Sequence, residues 1–112
     1  MSELTVQVDD VKGAFVIRVI GDAGIKNAER LDMELCRRCT LHPSLAVIDL
    51  SGLTFISSLA LGALVSFQRT MKRHGGTVRL AALSERFDDA FRKVQFHQIF
   101  EMHDTVEEAL LR

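Results

Sequence analysis

The chain is poor in cysteine. Only Cys36 and Cys39 occur among its 112 residues, so no disulfide framework is in use and hydrophobic burial must hold the fold. An excess of one charge sign is also missing. Fourteen Lys and Arg stand against 15 Asp and Glu, a formal net charge of −1, which gives no global pull toward nucleic acid or acidic membrane. Nucleic acid is therefore not an expected partner. No apolar run approaches the ~20 residues that cross a bilayer. The longest, Leu59 to Val65, gives way to Ser66, Gln68 and Arg69, so direct membrane insertion is not expected either. The start, Met1-Ser2-Glu3, lacks the basic and apolar regions of a signal peptide, and the expected location is the cytoplasm.

Catalytic signatures are absent as well. No G-x-S-x-G elbow, G-x-x-x-x-G-K-[ST] loop or G-x-G-x-x-G fingerprint occurs, which leaves hydrolase, nucleotide triphosphatase and dinucleotide chemistry without a motif. The expectation is a non-enzyme with no cofactor. Cys36-Arg37-Arg38-Cys39 with His42 has the outline of a thiol redox pair or a three-ligand metal site. Its place in the last turns of a helix argues against both, because the dipole there disfavours thiolate. Cys39 continues the apolar face of Leu31 and Leu35, so packing is its simplest role. His42, His74, His97 and His103 fall at element ends or in loops without ligand spacing, and surface or helix-capping roles are expected for them. No metal site follows.

What is present is a soluble-type composition, 47% hydrophobic and 26% charged, at a length that fits one domain over residues 1–112. Leu4 to Val8 and Phe15 to Ile20 are β-branched runs around the turn residues 9–13, a hairpin pattern. Ile25, Ala28, Leu31, Leu35 and Cys39 recur at helical spacing up to about Leu41, where His42-Pro43 ends the helix. Leu45 to Leu50 is almost continuously apolar, as a strand covered on both faces tends to be. After the turn signal Ser51-Gly52, a helix opens at Ser57 or Ser58 and runs to Arg73, stopped by His74-Gly75-Gly76. Thr77 to Ala81 reads as a strand, Ser84 caps a third helix with Phe87, Ala90, Phe91 and Val94 on one side, Gln98 to Met102 is extended, and residues 104–111 form a last helix. The order β-β-α-β-α-β-α-β-α predicts an α/β domain with a mixed, mostly parallel sheet of four or five strands and about four helices.

Ser57 and Ser58 stand where strand turns into helix, and two readings are open for them. They cap free N–H groups, or they mark a contact with a phosphate or a partner at the positive end of the helix dipole. Gly62, unfavourable inside a helix by about 1 kcal/mol relative to alanine, implies close approach of a neighbour. The run from Leu59 to Val65 is apolar nearly all round and must be covered on more than one side, by this fold or by another protein.

The segment Val47-Ile48-Asp49-Leu50-Ser51-Gly52-Leu53-Thr54-Phe55-Ile56, then Leu61-Gly62, His74 to Leu80 and the ending Phe100 to Leu110 resemble the STAS domain. Within that family the resemblance is to anti-sigma factor antagonists. It covers essentially the whole chain and implies a mixed sheet with helices packed beside it. It also implies a protein partner, an anti-sigma factor of the histidine-kinase-like ATPase type. Switching members read aspartate-serine-serine-glycine-leucine-glycine after the Phe-Ile pair, and the partner kinase phosphorylates the second serine. The match puts Ser57 on the aspartate, Ser58 on the first serine, Leu59 on the acceptor, Ala60 on the first glycine and Leu61-Gly62 on the end. Such members also carry Gly-Glu-Leu-Asp after the second strand, where this chain has Gly21-Asp22-Ala23-Gly24. With the hydroxyl missing at Leu59 and the carboxylate at Gly24, the resemblance implies a docking surface over Gly21, Asp22, Gly24, Ser57, Ser58, Leu59, Ala60 and Leu61 without the usual switch. Ser58 and Ser57 are the remaining candidate phosphosites. The alternative is a non-enzymatic STAS subunit of a larger transport or sensory assembly.

Overall fold

A mostly β-branched hairpin starts the chain. The computed structural model describes residues 3–111 and gives β1 (Leu4–Val11) and β2 (Ala14–Ala23), paired antiparallel from Leu4↔Gly21 to Val11↔Ala14. Both strands run longer than the apolar runs alone indicate. The turn shrinks to Lys12-Gly13, both at positive φ, and the Asp10 carboxylate accepts from the Gly13 N–H at 2.9 Å. Asp9, Asp10 and Val11 therefore stay in the ladder.

Then follow α1 (Ile25–Cys39), β3 (Leu45–Asp49), β4 (Leu53–Ile56), α2 (Ser58–Arg73), β5 (Thr77–Ala81), α3 (Glu85–Lys93), β6 (Glu101–His103) and α4 (Val106–Ala109), with a 3-10 turn at Phe96–Gln98. The sheet runs β1-β2-β3-β5-β6, parallel except for the first pair. The mixed, mostly parallel sheet with four helices is the expected architecture, with one correction. The sheet has six strands rather than four or five, because Leu53–Ile56, read as part of a turn, is β4. It pairs in parallel with the last residues of β2, past an irregularity at Gly21/Asp22. Only Leu53 of it is buried, so its apolar pattern is too short to show a strand.

The core lies between α1, α2 and one sheet face, where Ile17, Val19, Ala46, Ile48, Leu50 and Leu80 meet Leu31, Leu35, Leu64 and Phe67. All five residues of β3 are buried, as its continuous apolar run predicts. The other face carries a smaller cluster of Ala14, Leu45, Val47 and Ala81 under Ala109 of α4. Arg79 ties that short helix down by donating to the Ala109 and Leu111 carbonyls at 2.8 and 2.7 Å.

Two expectations for α2 change. Gly62 has no close neighbour: a Cβ built there meets no heavy atom within 4 Å. With helical backbone and open space, Gly62→Ala is expected to raise stability by roughly 0.5–1 kcal/mol, which a urea midpoint at unchanged m-value measures. The all-round apolar run is covered only in part. Ala60, Ala63 and Leu64 are buried and Leu61 and Val65 half-buried, whereas Leu59 is 61% exposed. On α1, Ala28, Leu31, Leu35 and Cys39 face inward as the spacing predicts, but Ile25 is 72% exposed.

Candidate functional site

Ser57, which opens α2, and the end of β2 meet through a backbone hydrogen bond. Asp49, buried at the end of β3, accepts from the Ser51 N–H at 2.9 Å and so sets the Ser51-Gly52 turn. The Gly52 carbonyl in turn accepts from the Gly21 N–H at 2.9 Å, and the Ala23 carbonyl accepts from the Ser57 N–H at 2.9 Å. Gly21 has φ +96°, and a Cβ on it would lie 2.3 Å from the Glu3 carbonyl oxygen. Only glycine fits this close strand approach.

Around this junction lies an open cleft of about 600 Å³ lined by Asp22, Gly24, Ile25, Lys26, Asn27, Phe55 and Ser57. A second groove, about 370 Å³, continues from Ile25 between the two helices along Ala28, Glu29, Asp32, Leu59, Gly62 and Ala63. Ile25 lines both, and Phe55, Ile25 and Leu59, each more than half exposed, are their large apolar residues, set among Asp22, Lys26, Asn27, Glu29 and Asp32.

The eight residues singled out in sequence fall into different places. Ser57 is the N-cap of α2, 8% exposed, its Oγ accepting from the Ala60 N–H at 3.2 Å. That bond is worth about 1 kcal/mol and occupies the hydroxyl. Ser58 is exposed in the first turn. Leu59 lines the inter-helix groove, Ala60 is buried in the core, and Leu61 lines a further hollow, shared with Phe55, against Phe87 and Phe91 of α3.

Gly24 is the N-cap of α1, and the space a side chain would take there is filled. A Cβ on Gly24 would lie 2.7 Å from Asp22 Oδ1 and 3.6 Å from the Phe55 ring. The Asp22 carboxylate accepts from the Gly24 N–H at 2.7 Å, and its backbone carbonyl accepts from Asn27 Nδ2 at 2.8 Å. A carboxylate is thus present in the cleft, supplied from two residues upstream of the expected position. Phe55, Ile25, Lys26 and Asn27 are cleft residues that the sequence did not single out.

Of the two cysteines only Cys39 is a packing residue. Cys39 is buried against the core and Cys36 exposed, both free. Burial and then the Asp32 carboxylate push the Cys36 thiol up; burial, then Cys36 and Asp32, push Cys39 up. Thiolate is disfavoured at both. Among the described residues no group of three or more His, Cys, Asp or Glu surrounds a common metal position, and no helix is long and apolar enough to cross a membrane.

A hairpin-led mixed sheet with two parallel helices on one face and a serine-capped helix after the central strand defines a domain of the STAS type. The STAS domain family model matches residues 5–109, and the chain belongs to that family. The fold is similar to an anti-sigma factor antagonist from Mycobacterium paratuberculosis, at TM-score 0.88 and 23% identity over 96% of this chain and 92% of that one. It is similar to the phosphorylated form of the Bacillus cell fate determinant SpoIIAA, at TM-score 0.73 and 18% identity over 95% and 96%. A sulfate transporter family protein from Wolinella succinogenes aligns at TM-score 0.77 and 20% identity over 91% and 85%.

Proposed function

We propose that this STAS domain is a non-enzymatic, cytoplasmic docking module of the anti-sigma factor antagonist kind. Its partner is an anti-sigma factor of the histidine-kinase-like ATPase type, held without a phosphoserine switch. The observation that carries the reading is Leu59, which stands 61% exposed in the first turn of α2 beside exposed Ile25 and Phe55. A large apolar side chain at a helix start costs solvation unless something covers it. A phosphate there would instead add about −1.5 to −2 charges. Ser57 is buried with its oxygen accepting the cap bond, so Ser58 is the one hydroxyl left exposed among the three positions of the former switch.

Binding is expected to be saturable and equally tight with ADP and ATP when the chain is titrated, by calorimetry, against purified histidine-kinase-like anti-sigma domains from the same genome. Mass spectrometry after the ATP arm should find no phosphate on residues 57–59. Stoichiometric phosphate on Ser58 with loss of affinity would overturn the constitutive reading.

The likeness to a sulfate transporter family protein supports a second reading, a STAS subunit of a transport or sensory assembly. The same exposed surface serves it. Failure of every kinase-like domain to bind, together with recovery of the chain in a defined transporter complex, would favour this second reading.

A further inference from the structure

Two imidazoles from separate loops meet at the far end of the helical layer. His42 follows α1 and His74 caps α2, and their ring centroids lie 4.4 Å apart with planes inclined by 52°. Both positions are fixed by backbone. His42 sits at φ +49°, its N–H donating to the Cys39 carbonyl at 3.0 Å, and the His74 N–H donates to the Met71 carbonyl at 3.0 Å. The loops they belong to are held against each other: Thr77 N–H donates to the Ser44 carbonyl at 3.0 Å, and a Cβ on Gly76 would lie 2.7 Å from the Pro43 oxygen.

The spacing has a chemical meaning. A metal–imidazole bond of ~2.0–2.1 Å plus the ring radius puts a ring centre about 3.2 Å from the ion. Two imidazoles at ~90° then have centroids about 4.5 Å apart, and at the tetrahedral angle about 5.2 Å. The observed 4.4 Å matches neighbouring positions on an octahedral or square-planar ion, and equally two rings in direct contact. Two helix C-termini, each the negative end of a dipole, converge on the same place and favour a cation there. Lys72 and Arg73 at the end of α2 oppose it, while Arg37 and Arg38 of α1 are both paired with Glu34.

We propose that His42 and His74 form a two-imidazole chelate for a divalent transition cation, with water filling the remaining coordination positions. The buried Cys39 and the exposed Cys36 take no part, and the site lies about 22 Å along α2 from Leu59, so it is independent of the docking surface.

Ni²⁺ is the probe, since it prefers octahedral geometry and does not oxidise the thiols. Titrated into untagged, chelator-stripped full chain at pH 7.5, it is expected to bind one site with Kd in the range of about 1–100 μM. His42→Asn, which keeps a residue tolerant of positive φ, and His74→Asn should each weaken binding at least tenfold, with thermal melts confirming that both fold. His97→Asn should have no effect. In NMR, substoichiometric Ni²⁺ should broaden the His42 and His74 ring signals first. Absence of saturable binding up to 1 mM, binding that survives His74→Asn, or binding lost on Cys36→Ser would each overturn the proposal.

Discussion

Leu59→Asp is expected to weaken partner binding by about a hundredfold, roughly 2.7 kcal/mol, while leaving the fold intact. The two effects separate because of where the residue sits. Leu59 is 61% exposed, so its side chain contributes little to the core. It lies in the first turn of α2, where no acidic residue occurs, so a carboxylate there gains about 0.3–1 kcal/mol from the helix dipole. The melting temperature should hold steady or rise slightly. At the interface the same carboxylate replaces apolar surface beside Ile25 in a groove that already holds Glu29 and Asp32, and desolvating a charge without a cationic partner is costly. Calorimetry against the partner, with a thermal melt of the free chain, reads both. Unchanged affinity would place docking elsewhere and remove the reason for treating Leu59 as a permanent stand-in for the unphosphorylated acceptor serine.

Local signals carried most of this domain into view. Leu45 to Leu50 announces a strand buried on both faces, Ser57 and Ser84 stand before helices that they do cap, and the Gly-rich stop after Arg73 ends α2 where the sequence says it ends. Non-local pairing was invisible. Gly21 and Asp22 look like loop residues, yet Gly21 pairs with Leu4 on one side and Leu53 on the other, and Asp22 with Phe55. That pairing extends β2 and creates β4. Gln98 to Met102 reads as extended, but Phe96 and Phe100 are both buried at helical spacing, so a 3-10 turn comes first and the strand is delayed to Glu101. In the candidate site the cap function of Ser57 was legible because it is local. The exposure of Ile25 and Phe55 was not, since an apolar residue is exposed only by virtue of what fails to cover it. That the Asp22 carboxylate folds back onto the Gly24 N–H was not legible either, because the turn that allows it is not specified by residue identity alone.

Phe91→Ala should be the most damaging single truncation in the C-terminal third. Phe91 is 1% exposed and stands edge-on to Phe96 at 5.3 Å, which in turn contacts Phe100 at 5.5 Å. This aromatic row is what fastens α3, the 3-10 turn and the approach to β6 onto the main core, together with Phe87. Removing the ring forfeits its burial and leaves a cavity that three separate segments would have to close together, so the expected cost is about 3–5 kcal/mol. Against a total of about 5–15 kcal/mol for a domain of this kind, the melting temperature should fall by roughly 12–25 °C. Val94→Ala on the same helix end is the internal comparison, because Val94 is 52% exposed and should change stability by less than about 0.5 kcal/mol. Hydrogen exchange separates a global loss from a local one: if α3 is part of the cooperative unit, amides in β3 and β5 lose protection along with those of α3. A drop of less than about 1 kcal/mol, with exchange accelerated only in residues 85–100, would instead make α3 a loosely attached flap, and the hollow it forms with Leu61 and Phe55 would then open without unfolding the sheet.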